Sequence, residues 1–374
     1  MYDVLIIGAG AAGIGMALTL QAAGVENFLV LEAGQVGQSF RSWPTDTRFI
    51  TPSFTTNGFG MPDLNALNPT SSPAYTFGKE HLSGADYAKY LEILVDHYNL
   101  PVLTQTPVTK LTKKKDHYEI ETDQANYQAV YLILAVGEFN FPNFEEVLGG
   151  KEFGRHYSQV TALSDLEGEQ FTIIGGNESA IDAATHLLNL GKKVDIFAHS
   201  TGIKASSPDP SIHLSAISNQ KFFDALDQVK PEQFHLYEGS RILAIKEDGE
   251  GYYLLDQEGH IYQSSTQPIL ATGFHNGALS LARDYFNIND HGELQLNAYD
   301  ESTKANNLFL VGPSVRNCSV IFCYIYKFRQ RFLVVAEEIL KRQGRTLDSA
   351  LKQAYQAEAF YLADLDTCQV TCDC

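Results

Sequence analysis

Along this chain, apolar residues come in short runs that stop at glycine, separated by stretches whose apolar positions recur every three or four residues. The first run, Tyr2-Asp3-Val4-Leu5-Ile6-Ile7, enters Gly8-Ala9-Gly10-Ala11-Ala12-Gly13 and then a helical pattern, so the spacing predicts strand, tight turn and helix. Phe28-Leu29-Val30-Leu31 predicts a second strand that ends in Glu32, 19 positions beyond Gly13. Helical spacing at Tyr87, Tyr90, Leu91, Leu94 and Val95 predicts a helix over 85–98 with these side chains in the core. Short strands are expected at Val102-Leu103, Tyr118-Glu119-Ile120 and Tyr131-Leu132-Ile133-Leu134-Ala135, the last running into Val136-Gly137.

The opening pattern then returns. Phe171-Thr172-Ile173-Ile174 leads into Gly175-Gly176-Asn177-Glu178-Ser179-Ala180, and Gly8 and Gly175 are 167 positions apart, as are Glu32 and His199. Ile196-Phe197-Ala198 is the matching second strand. Pro268-Ile269-Leu270-Ala271-Thr272-Gly273 repeats the strand-into-glycine device of 134–137 and is expected to close the second domain. Between them, residues 204–236, with Ser-Ser-Pro-Asp-Pro at 206–210, read as a surface excursion. A last buried strand is expected at Asn307-Leu308-Phe309-Leu310-Val311, ending in Gly312-Pro313. A helical pattern follows through Phe322, Ile325, Phe328, Phe332 and Val335, with Arg329 and Arg331 on its polar side.

These patterns carry chemistry. In G-x-G-x-x-G the first glycine permits the turn, the second lets the backbone approach a pyrophosphate, and the third lets the helix lie close on the sheet. The helix N-terminus then faces the phosphates, and an acid at the position of Glu32 accepts hydrogen bonds from the ribose. The second copy, Gly175, Gly176, Asn177, Glu178 and Ser179, has Asn177 in place of the second glycine. Where the first site has Glu32, the second is expected to present His199, Ser200 and Thr201 with Lys204 nearby, a hydroxyl and basic cluster that points to NADPH rather than NADH. Residues 37–60, rich in Gly, Pro, Ser, Thr and aromatics, read as a functional loop.

Composition narrows the classes. A net charge of −18 excludes a nucleic-acid surface. With 44% hydrophobic and 19% charged residues, the chain reads as a globular enzyme and not a disordered one. The N-terminus lacks a basic leader, and no apolar run reaches the roughly 18 residues of a membrane span, so a cytoplasmic protein is expected. The five cysteines, Cys318, Cys323, Cys368, Cys372 and Cys374, do not form a secreted disulfide framework. For the three in the tail, inert thiols, a soft-metal site and a redox tail all stay open, and no metal ligand is assigned.

On these residues the chain resembles the bacterial flavin-containing monooxygenases, a group of two-dinucleotide-domain flavoproteins. Gly8, Gly10, Gly13 and Glu32 correspond to the FAD fingerprint, Gly37-Gln38-Ser39-Phe40-Arg41 to the segment beside the flavin, and Ala271-Thr272-Gly273 to the Ala-Thr-Gly hinge. Thr56-Asn57 resembles a pair whose amide sits near the isoalloxazine ring, which makes Asn57 the candidate catalytic residue. Phe153-Gly154-Arg155-His156-Tyr157-Ser158 only loosely echoes the linker signature, so His156 reads equally as structural or functional. Gly312-Pro313 stands where many relatives of the fold carry Gly-Asp.

The resemblance implies an α/β fold of two Rossmann-like domains, the NAD(P) domain inserted into the FAD domain. The expected ranges are 1–165 and 276–360 for FAD, 166–275 for NAD(P), and 361–374 for a Cys-rich tail. Further cofactor contacts are expected from Ala11, Ala12, Ala33, Val108, Ala135, Gly137, Thr272, Gly273, Gly312 and Pro313. The implied activity is insertion of one oxygen atom from O2 into a small organic substrate through a flavin hydroperoxide, with FAD and NADPH, or NADH, as cofactors. The alternative is a flavin-dependent disulfide or quinone reductase. A homodimer is compatible with this reading, and neither nucleic acid nor membrane is an expected partner.

Overall fold

The computed structural model describes residues 1–54, 62–203, 205, 207, 209–317 and 320–365. In chain order, β1 (Tyr2–Ile7), α1 (Ala11–Ala22) and β2 (Phe28–Leu31) form the opening unit. They are followed by α2 (Gln38–Arg41), α3 (Pro73–Phe77), α4 (Gly84–Tyr98), β3 (Val102–Leu103), β4 (Val108–Lys113), β5 (Tyr118–Thr122) and β6 (Asn126–Leu134). Next come α5 (Gly150–Phe153), β7 (Arg155–His156), β8 (Gln170–Ile174), α6 (Glu178–Asn189), β9 (Lys193–Ala198), α7 (Ala216–Leu226) and β10 (Phe234–Glu238). The chain continues with β11 (Ile242–Glu247), β12 (Tyr252–Asp256), β13 (Ile261–Ser264), β14 (Ile269–Leu270) and α8 (Gly277–Ala282). It closes with β15 (Leu308–Leu310), β16 (Arg316–Asn317), β17 (Val320–Ile321), α9 (Ile325–Phe328), α10 (Phe332–Arg342) and α11 (Ser349–Ala357).

Two compact units result. The first gathers Met1–Arg41, Thr51–Glu138 and the return from Asn276, and the second takes Ser42–Ile50 and Phe139–His275. In the first, β1 pairs in parallel with β2 and β6, and β6 with β15, so four strand ends open on one edge of a seven-stranded sheet. Val4, Leu5 and Ile6 are wholly buried, as strands covered on both faces must be. The helix expected over 85–98 is α4, fixed by a reciprocal cap: Asp86 N–H donates to Ser83 Oγ and Ser83 N–H to Asp86 Oδ2, both at 3.1 Å. Asn99 ends it in the left-handed conformation, at φ 49°.

The second unit carries a five-stranded parallel sheet, β10-β9-β8-β14-β7, and a three-stranded antiparallel sheet, β11-β12-β13. The change of unit falls at Glu138/Phe139 instead of 165/166, because β7 pairs with β14 and draws 139–165 into the second sheet. Residues 204–236 are not only a surface excursion. They supply α7, whose Phe222 is buried, and the start of β10, the sheet edge beside β9.

The terminal helical pattern also departs from expectation. It is broken by a 3-10 turn at Arg329–Arg331, and both arginines are buried, at 2% and 1% exposure, instead of facing solvent. Arg329 donates to the carbonyl oxygens of Asp63 and Ala66, and its burial pulls its pKa down to about 10. Arg331 is paired with Asp300 at 2.7 Å and donates to the carbonyls of Leu362 and Ala298, both at 2.6 Å. Helical periodicity alone ranks arginine as polar and outward. It cannot see a buried carboxylate 31 residues away.

Candidate functional site

The first unit's site is built on the turn from β1 to α1. Gly8 has φ +106°, and a Cβ there would lie 2.4 Å from the Ala135 carbonyl oxygen, so the strand end of β6 leaves no room for a side chain. A Cβ on Gly13 would lie 1.8 Å from the carbonyl oxygen of Gly8, which confines position 13 to glycine. Around Gly10, by contrast, a Cβ would meet nothing within 4 Å. Gly10 is also the N-cap of α1, with no side-chain cap and no acid in the first turn. Among the described residues no hydrogen bond engages the N–H groups of Ala11 and Ala12, and the space before them is open, the arrangement that receives a phosphate.

Glu32 sits at the end of β2 with 8% exposure. Its Oε2 accepts the N–H of Ala9 at 2.7 Å and its Oε1 the N–H of Gly34 at 2.8 Å, which fixes the carboxylate at the glycine turn beside Ala33. Each oxygen keeps a lone pair for a ribose hydroxyl. Gly37 N–H donates to Ala9 O at 3.0 Å, bringing 37–41 to the same turn. There Phe40 meets Tyr87 edge to face at 4.8 Å, and Arg41 is held by Glu92 and the Val36 carbonyl. Gln38 Oε1 accepts the Gln35 N–H at 3.2 Å, with Ser39 next in the same turn. Val108 opens β4 two residues past Thr106, whose N–H donates to Glu32 O at 2.8 Å. Ala135, Gly137, Gly312 and Pro313 follow β6 and β15 on the same edge. Thr56 and Asn57 lie outside the described residues.

Sequence reading did not single out Glu138, directly after Gly137. Its Oε2 accepts a bond from Ser314 Oγ at 3.4 Å, and burial raises its pKa against the opposing pull of Arg316. The signal available was a carboxylate placed immediately after a strand that stops at glycine.

The second unit repeats the turn. Gly175 has φ +127° and a Cβ there would lie 2.4 Å from Ala271 O, while Gly175 N–H donates to Phe197 O as Gly8 N–H does to Leu31 O. This register corrects one expectation. Ile7 pairs with Leu31 but Ile174 with Phe197, so the second copy is one residue shorter between helix and strand. The counterpart of Glu32 is Ala198, and His199 and Ser200 are exposed just beyond it. Thr201 Oγ1 donates to Glu238 at 3.2 Å.

Asn177 caps α6 without a side-chain bond, ahead of Glu178 and Ser179. Glu178 is engaged with Ser215 N–H and Ser218 Oγ, tying α6 to α7. Gly176 is packed against Ser200 O, 2.3 Å from where a Cβ would sit, so it is less open than Gly10. Thr272 donates to the Asn143 carbonyl. The Gly273 carbonyl accepts from Asn143 N–H at 3.0 Å and pairs with His156 Nε2 at 2.9 Å. His156 is 1% exposed, and its Nδ1 accepts the Ser158 N–H. Both of its ring nitrogens are engaged within the second unit.

Two helix N-termini without side-chain caps at glycine turns, one beside an acid, are the features by which a two-dinucleotide-domain fold receives its nucleotides. The pyridine nucleotide-disulphide oxidoreductase family matches residues 5–312, and the chain belongs to it. It is 26% identical over 193 residues to an uncharacterised oxidoreductase, CzcO, of Bacillus velezensis, a match covering 50% of this chain and 52% of that protein. The chain thus spans about half the length of the relatives it matches by sequence. In fold it is similar to the bacillithiol disulfide reductase Bdr of Staphylococcus aureus, with TM-score 0.72, 20% identity, and 91% and 99% of the two chains covered. It is equally similar to the ornithine N-hydroxylase of Kutzneria sp. 744, with TM-score 0.72, 13% identity, and coverage of 92% and 100%. Among the described residues no helix is long and apolar enough to cross a membrane.

Proposed function

We propose that this chain is an NAD(P)H-dependent flavin monooxygenase acting on a small organic substrate with O2. When bound, FAD supplies hydride acceptance from the reduced nicotinamide and reaction with dioxygen. The overall reaction balances as NAD(P)H, a proton, O2 and substrate giving NAD(P)+, water and oxygenated substrate. The chain's own part is binding and orientation: the α1 turn and Glu32 hold the FAD phosphates and adenosine ribose, and the α6 turn holds the nicotinamide nucleotide. Asn57, the candidate catalytic residue read from the sequence, lies outside the described residues.

The observation that favours oxygen chemistry is the placement of cysteine. None precedes Cys318, and no C-x-x-C occurs in the sequence, whereas relaying electrons to a disulfide calls for a redox thiol pair. The second reading, a disulfide or quinone reductase, is supported by the family and by the likeness to Bdr, together with Cys318 and Cys323 on the return segment.

Steady-state turnover separates the two. With NADPH or NADH in air and a panel of amines, sulfides and ketones, a monooxygenase forms oxygenated product and releases less peroxide than nicotinamide oxidised. Sustained anaerobic turnover with a low-molecular-weight disulfide or a quinone, and no oxygenated product in air, establishes the reductase instead.

A further inference from the structure

In the first unit's sheet, β2 lies on one side of β1, and β6 and then β15 lie on the other. Glu32 ends β2. A dinucleotide whose phosphates face α1 and whose adenosine ribose meets Glu32 therefore directs its other half over the ends of β6 and β15. Those ends are Gly137-Glu138 and Gly312-Pro313-Ser314, locked side by side by the bond from Val311 N–H to Leu134 O at 3.0 Å. They also stand close to the helix N-terminus, since a Cβ on Gly312 would lie 2.9 Å from that of Ala12.

Glu138 is the carboxylate at this position, and its hydrogen bonding is sparse. Among the described residues its one hydrogen bond is the long one from Ser314 Oγ, at 3.4 Å. Arg316 attracts it, yet the Arg316 guanidinium donates to the carbonyls of Pro313 and Val315, at 2.6 and 3.0 Å. A carboxylate accepts about four hydrogen bonds, so most of this one's capacity is unused. Burial raises its pKa, with Arg316 and the Ser314 bond opposing the shift. A partly buried acceptor of this kind suits a ligand rich in hydroxyl donors.

We propose that Glu138, supported by Ser314, is the polyol-binding carboxylate of the FAD site, accepting hydrogen bonds from the hydroxyls of the ribityl chain. This rests on the FAD reading above. Glu138 is then a positioning residue, and it acts on the half of the dinucleotide that Glu32 does not reach.

The test compares FAD and ADP binding to the apoprotein, because ADP carries the adenosine and phosphates but no polyol. Glu138→Leu should raise the FAD dissociation constant about tenfold to a hundredfold, the loss of hydrogen bonds to a charged group, and leave ADP affinity within twofold of wild type. Glu138→Gln, which keeps an acceptor oxygen, should recover part of the loss. Ser314→Ala should give a smaller weakening in the same direction. FAD affinity unchanged in Glu138→Leu, or FAD and ADP weakened equally, overturns the proposal while leaving the FAD reading intact. A wild-type chain that binds neither ligand overturns both.

Discussion

Gly8 and Ala135 are packed so closely that a Cβ on the glycine would fall 2.4 Å from the Ala135 carbonyl oxygen, and Gly175 and Ala271 repeat the same distance. Each glycine also has a positive φ, +106° and +127°. Gly8→Ala and Gly175→Ala should therefore each cost roughly 3 kcal/mol, from backbone strain and forced displacement of a strand. Urea unfolding of the apoproteins measures this.

The buried pair Arg331 and Asp300, 2.7 Å apart, ties α10 to the loop before β15. Arg331→Met alone should destabilise by about 3–5 kcal/mol, because buried Asp300, whose pKa burial already raises, loses its charged partner. Adding Asp300→Asn removes the carboxylate, so the double variant should be less destabilised than the sum of the two single changes. A double-mutant cycle in urea supplies the coupling.

His156 has its pKa lowered by burial, against the opposing hydrogen bond to the Gly273 carbonyl. The unfolded chain takes up its proton near pH 6.5, above the folded value, so the unfolded state binds more protons across that interval. The contribution of neutral His156 is present above about pH 6.5 and is lost as pH falls through the folded pKa. His156→Asn should flatten this part of the profile. Urea midpoints at pH 7.5 and below 6 compare the two proteins.

Glu32→Ala removes the acceptor for two turn N–H groups, Ala9 and Gly34. It should cost about 1–3 kcal/mol in the apoprotein and also weaken FAD binding. Glu32→Gln keeps one acceptor oxygen and should lose less of both. Calorimetry and FAD titration report the two effects separately.

The nucleotide motifs all lie before residue 315, well ahead of Cys368, Cys372 and Cys374. A chain ending at residue 366 should keep its flavin and its NADPH oxidation rate within a few-fold. Loss of either would place the tail cysteines in the machinery and favour the reductase reading.

What was legible in the sequence is local. Glycine turns, strand runs and the capped helix α4 depend on neighbours within a few positions, and the repeat of Gly8 in Gly175 is visible by spacing alone. What was not legible depends on pairing at a distance. A constant offset of 167 assigned His199 to the place of Glu32, but the β8–β9 register is one residue shorter and puts Ala198 there. Arg331 looked like a surface residue until Asp300 met it. Residues 139–165 changed units because β7 found β14, a pairing of two residues with no periodic signature.

The most direct test of the account is titration of the purified apoprotein with FAD, followed by anaerobic addition of NADPH or NADH while flavin absorbance is recorded. The account predicts uptake of one FAD per chain, bleaching of its absorbance by reduced nicotinamide, and abolition of uptake by Gly10→Trp, which fills the open space before α1. A wild-type protein that takes up no FAD, or holds a flavin that neither nucleotide reduces, would contradict it.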